Sequence, residues 1–385
     1  NTTVAVTVVG LLFFTQSAQA SEAELQQMQD RIANLESQLE GEKGSFLPSR
    51  SEVKNSLSSM LENTSIEGWA AASYNYNFEG FDSGAVFAAG ESANTKTGGY
   101  GDTNSFQVDQ VWISIDNAAT EDSRGGAHLD YQWGSVNGAG LGGNLYSAYV
   151  SYLAPVGDGV NLDIGLLPTM LGAEVVQTTA NFNITRGIVW DLQPITNVGA
   201  VFSTDIMGFG VDLGILNDTG ATATADADNG KALTAQVSYG ADDWSGAFSM
   251  VWGDDSGSGN DKGIYDFLLT CNAMDNISAW FDYTLVDEDN VGTTHGIALA
   301  ARMALNDDMG VALRGEVTIE DPDGGSKDNR YSITATGDYA LTSSLTAKAE
   351  IRIDIDADGL PDEDTDPNTG EDVAATILVQ LTYAF

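Results

Sequence analysis

Apolar side chains take every second position over long stretches of this chain. Leu345, Ala347, Ala349, Ile351 and Ile353 alternate with Thr346, Lys348, Glu350, Arg352 and Asp354. Phe209, Val211, Leu213 and Ile215 alternate with Gly210, Asp212 and Gly214, and the final stretch Val373–Phe385 repeats the pattern. A strand turns successive side chains to opposite faces, so period two gives one apolar face and one polar face. A soluble sandwich rarely places small and charged residues on its inner face. Charges at every second position beside an unbroken apolar face fit lipid on one side and water on the other.

Counting such segments predicts an all-β fold: a transmembrane antiparallel β-barrel of about 16 strands. The segments are 66–78, 105–116, 125–135, 144–153, 160–167, 195–203, 209–216, 230–239, 244–253, 262–272, 277–287, 294–304, 309–319, 330–340, 344–355 and 373–385. Links from odd to even segments are often long and acidic, as in 79–104 and 356–372, whereas links from even to odd, such as 204–208 and 341–343, are short. This asymmetry predicts long outer loops and tight turns at the other end. A barrel of this size leaves an aqueous channel, where eight strands would be filled by side chains.

Ahead of the barrel three further pieces are expected. Residues 1–20 hold the apolar run Val4–Phe14 and then Ala18-Gln19-Ala20, the pattern of a secretory signal peptide. Residues 21–45 place Leu25, Met28, Ile32, Leu35 and Leu39 at alternating spacings of three and four, which predicts a periplasmic coiled-coil helix. A linker at 46–65 leads to the barrel at 66–385.

Charge sharpens the picture. Against 15 Lys+Arg stand 56 Asp+Glu, a net charge of −41. Such acidity excludes a nucleic-acid partner, which needs clustered cations. It fits a salt-adapted surface or a cation-attracting pore. Cys271 is the single cysteine, so no internal disulfide forms. His128 and His295 are the only histidines; His128 falls inside by parity, His295 begins a strand with no matched serine motif, and no triad-like spacing orients a base, so no enzyme is expected.

The segment after the fifth strand, 168–194, lacks period two; its position resembles that of the loop that in general porins folds into the lumen and narrows it, and that resemblance implies a constriction here. Its charged residues are Glu174, Arg186 and Asp191. Inward parity on strands twelve to fifteen assigns Arg302, Arg314, Glu316, Arg330, Lys348, Glu350 and Arg352 to the facing wall. Basic side chains opposite Glu174 and Asp191 would set a transverse field across the constriction. The alternative is that these charges form cross-strand ladders that only hold the wall together.

The acidic stretch Asp354–Asp372 suggests a metal. Asp354, Asp356, Asp358 and Asp362, with Gly359 between, offer oxygens at alternate positions to a hard cation such as Ca2+. The stretch resembles the calcium loops of thrombospondin type-3 repeats and departs from an EF-hand at Thr365. A solvated loop is one alternative, and Asp354, which continues the inward series of its strand, is also a candidate lumen residue.

A terminal strand ending in Tyr383-Ala384-Phe385 resembles the closing strand of bacterial outer-membrane barrels. The insert, through Leu171, Gly172, Glu174, Asn181, Phe182, Arg186, Pro194, Gly199 and Ser203, resembles the OmpL-like β-barrel porin family. Where that family has His-Thr-Gly, this chain has Asn197-Val198-Gly199. The resemblance implies a porin and names no substrate. The expectation is therefore an outer-membrane channel for passive diffusion of small hydrophilic solutes or ions, forming homotrimers. Its expected surroundings are outer-membrane lipid, lipopolysaccharide and peptidoglycan. Two alternatives are a plugged barrel with a structural or surface-binding role, and a selective channel for organic anions or sugars using Trp112 and Trp280 as a stacking track.

Overall fold

The computed structural model describes residues 64–78, 104–136, 140–157, 159–220, 230–255, 260–356 and 373–385. The expected leader, the helix at 21–45 and all but the end of the linker lie outside them.

The strands follow in chain order: β1 (Thr64–Asn77), β2 (Ser105–Asn117), β3 (Gly125–Gly134), β4 (Gly140–Ala154), β5 (Val160–Pro168), β6 (Thr196–Ile206), β7 (Phe209–Leu216) and β8 (Ala232–Gly240). The second half comprises β9 (Trp244–Asp255), β10 (Asn260–Met274), β11 (Ile277–Glu288), β12 (Gly292–Ala304), β13 (Met309–Pro322), β14 (Asp328–Ala340), β15 (Leu345–Asp356) and β16 (Val373–Ala384). Each expected segment overlaps one of these strands. Every strand pairs antiparallel with its chain neighbours, and β1 pairs with β16, so the sheet closes into a barrel. Closure leaves no unpaired edge, which is the condition for a sheet to sit in hydrocarbon. Among the described residues no helix is long and apolar enough to cross a membrane, so any crossing is made by strands.

Parity decides the two faces. Leu213, Leu299 and Ile333 are 57, 57 and 58% exposed on the outside, whereas inward Thr234, Asp282 and Arg314 are 3, 3 and 1% exposed. Exposed apolar rows this continuous require lipid around them. At the turn end, Met207 (φ 55°) and Gly208 (φ 86°) join β6 to β7 as a two-residue hairpin. Two consecutive positive φ values match the right-handed twist of the flanking strands.

The inner face is not uniformly polar. Trp69, Trp112 and Tyr146 point inward and are buried, as are Leu216, Ala232, Val251 and Ile264. These apolar positions interrupt the polar inner rows where the segment between β5 and β6 packs inside the barrel.

Candidate functional site

The insert 169–195 leaves the sheet at the Pro168–Thr196 pair, and its neck is closed by the Thr169 amide donating to Ile195 O at 3.1 Å. Inside the barrel it forms two short 3-10 turns, Thr178–Ala180 and Trp190–Leu192. With no partner strand, its backbone groups need other partners. Arg186 supplies many of them. Its guanidinium donates to Val175 O at 3.1 Å, Ile184 O at 3.2 Å, Thr178 Oγ1 at 3.2 Å and Val176 O. The sequence offers Arg186 as a constriction residue because it is a charge on the insert. It is fully buried and acts as the internal brace of the insert, because a planar fork of five donors satisfies several carbonyls at once.

Three seats hold the insert to the wall. The first is charged and lies on β13–β15. Arg314 donates to Glu174 Oε1 at 2.5 Å, to Thr185 O at 2.7 Å and to Thr334 Oγ1 at 3.0 Å, and its Nε lies 2.8 Å from Glu316. Glu350 accepts from the amides of Ile184 (2.5 Å) and Thr185 (3.1 Å) and from Thr336 Oγ1 (2.7 Å). The amides of Gly187 and Val189 donate to Glu174 (2.6 Å) and Glu316 (3.2 Å). A Cβ at Gly187 would overlap the Glu316 carboxylate, so glycine permits this approach. Lys348 donates to Asn181 O at 2.7 Å, and Arg352 donates to Arg186 O at 2.7 Å.

The second seat is aromatic. Trp69 and Trp112 stack with centroids 5.1 Å apart, Tyr146 tilts against Trp112 at 4.9 Å, and Val136, Val176, Trp190 and Ile195 complete the cluster. Gln110 ties it to the insert: it receives from Trp69 Nε1 (2.8 Å) and the Thr178 amide (3.0 Å), and donates to Val176 O (3.1 Å). The third seat spans β7–β11. Leu171 packs with Leu216, Ala232, Val251 and Ile264. Met170 O accepts from Gln236 and Ser249, and Asp282 accepts from the Ala173 amide at 2.9 Å.

Three expectations change. Glu174 and the basic wall are in contact, not separated by an aqueous gap, because the buried Arg314 needs carboxylates beside it. Trp112 faces inward as expected, yet it is 1% exposed and stacked on Trp69, so it offers no free ring face for a sugar. Asp354 lies in the lumen with both oxygens 2.9 Å from Arg352 Nε. The side chains of Asp356, Asp358 and Asp362 lie outside the described residues.

The remaining expected residues are apart from the charged seat. Arg302 pairs with Asp338 at 2.6 Å, and Arg330 lies 3.2 Å from Asp328 and 3.6 Å from Glu320. Asp191 lines a cavity with Lys262, Glu288 and Glu320. The aromatic and apolar seats escape a reading based on charge. Their signal in the sequence is apolar residues at inward parity, such as Trp69, Trp112, Val251 and Ile264.

Comparisons with known proteins bear on the barrel and not on the seating of the insert. No curated protein matches the chain. Among solved structures, the trimer form of OmpT, an outer-membrane protein of Vibrio cholerae, aligns with TM-score 0.57 at 9% identity, covering 84% of this chain and 99% of that one. The anion-selective porin from Comamonas acidovorans aligns with TM-score 0.57 at 14% identity, covering 84 and 99%. The outer-membrane channel DcaP of Acinetobacter baumannii aligns with TM-score 0.56 at 11% identity, covering 84 and 97%. At these identities the likeness establishes the barrel alone. The model of the family described as "Putative beta-barrel porin-2, OmpL-like" matches residues 63–385. The chain therefore belongs to the OmpL-like β-barrel porin family, a family of outer-membrane channels and not of enzymes.

Proposed function

We propose that the barrel is a channel for passive diffusion of small hydrophilic solutes and ions, narrowed by the insert 169–195. The observation that carries this reading is the one-sided charged seat. The insert is bound to β13–β15 through the buried Arg314–Glu174 salt bridge and through hydrogen bonds to Glu350, Lys348 and Arg352, while Val175, Thr179 and Ala180 on it remain exposed. Polar inward side chains Ser151, Asp163, Ser203 and Asp212 on β4–β7 are only partly buried. Sixteen strands enclose more space than side chains alone fill. The purified full chain in planar bilayers is expected to give stepwise conductance increments. A flat current at high protein concentration would overturn the reading.

A second reading has its own observation. The aromatic seat lies on β1, β2 and β4, away from the charged one, so the insert is held from both directions as a plug would be. Conductance separates the two: a plugged barrel passes no ions until the insert is shortened. We also propose that the barrel forms homotrimers, since a structural relative is described in a trimer form. Crosslinking of the detergent-extracted protein would give a three-chain band, and a ladder ending at one chain would refute it.

A further inference from the structure

We propose that the passage selects cations, because the bases of the lumen are consumed in ion pairs and in holding the insert, while acids on the opposite wall meet water. This rests on the channel reading above. Strands β1–β9 contain no lysine or arginine. Their inward positions carry Asp116, Asp130, Asp163 and Asp212. His128 bridges two of these: Nδ1 lies 2.9 Å from Asp116 and Nε2 lies 2.8 Å from Asp130. One imidazole between two carboxylates leaves the trio negative whether or not the ring is protonated. The Asp116 side chain is 41% exposed, and Asp163, held by Ser151 Oγ at 2.5 Å, is partly exposed like Asp212.

The bases lie elsewhere. Among the described residues, every inward lysine and arginine of the strands is on β10–β15, and Arg186, on the insert, is buried against the insert's own carbonyls. Arg302, Arg314, Arg330 and Arg352 each face a carboxylate at 3.2 Å or less. Lys262 lies 3.5 Å from Glu288, and Lys348 is turned to Asn181 O. Arg314 and Arg352 have side-chain exposures of 0 and 2%. A paired, buried cation presents little net charge to an ion in the passage. The same wall also carries Asp282 and Glu350, which accept from backbone amides of the insert. The field that remains is negative from both sides. Fixed charge along a water-filled slot with low-dielectric walls concentrates counter-ions and repels co-ions.

The test is the reversal potential of the full chain in planar bilayers under a KCl gradient. The expected permeability ratio of K+ over Cl− is about threefold or more near 0.1 M salt, falling toward unity near 1 M as the Debye length shrinks from about 10 to about 3 Å. The double variant Asp163→Asn/Asp212→Asn is expected to lower that ratio by about twofold or more. Asp308→Asn, in the turn between β12 and β13, is expected to leave it unchanged. A ratio at or below one in the unaltered protein, with clear conductance steps, overturns the cation assignment and leaves the channel reading standing. Absence of steps overturns both. Should the double variant fail to assemble, hexaamminecobalt(III) added to the unaltered protein decides. Block of the K+ current that salt relieves supports the proposal, and an unaffected current overturns it.

Discussion

Arg314 shows how much one side chain can hold. Its guanidinium binds an insert carboxylate, an insert carbonyl and a wall hydroxyl at once, beside Glu316 on its own strand. Removing it leaves Glu174 and Glu316 buried beside each other without a cation, and breaking a buried pair in this way costs about 3–5 kcal/mol. Arg314→Met is therefore expected to release the insert while the barrel, held by its ladders, survives. Protease cleavage within 169–195 should become fast, with the folded barrel keeping its gel mobility before boiling. Unchanged resistance would show that the charged seat is dispensable. Parity in the sequence was enough to aim Arg314, Glu316, Glu350 and Arg352 inward. It could not show that their partners are amides and carbonyls of Ile184, Thr185 and Arg186, some 130 to 170 positions away in the chain.

At the level of elements, the strands and the insert follow different rules. A strand is specified by its own alternation and by its two neighbours, so each expected segment appears as a strand. The insert is specified by what lies under it. Its aromatic seat predicts a measurable dependence: Trp112→Ala removes a ring packed between Trp69 and Tyr146, a loss of about 3–5 kcal/mol for a buried large-to-small change. Tryptophan emission is expected to shift to the red and single-channel conductance to rise, with far-ultraviolet circular dichroism unchanged. An unshifted emission would mean the cluster does not order the insert. The seam between β1 and β16 is tight for another reason. A Cβ on Gly68 would sit 2.7 Å from the Trp112 carbonyl and 2.6 Å from the Phe385 ring. Gly68→Val is expected to reduce the fraction of chains that reach the heat-modifiable folded form, and a normal yield would show that the seam can yield.

For the whole molecule, closure is what turns strands into a membrane protein. The chain puts apolar rows outward and charge inward, and the lipid phase rewards only a sheet without edges. Conductance then depends on how much of the lumen the insert covers. Replacing residues 171–193 by a short Gly-Ser link is expected to raise single-channel conductance by about twofold or more, since the widened bore is limited by the wall alone. Equal conductance in the two proteins would place the narrowest point elsewhere.

The sequence alone determined the number of strands and their faces, because those depend on period two and on short turns, both local properties. It also located the insert, as a break in that period. Only the tertiary structure decided that the basic wall and Glu174 touch, that Arg186 braces the insert from within, and that Trp112 is covered. Those outcomes join residues far apart in the chain, and they rest on the cost of burying a charge or an amide without a partner, which no spacing along the chain records.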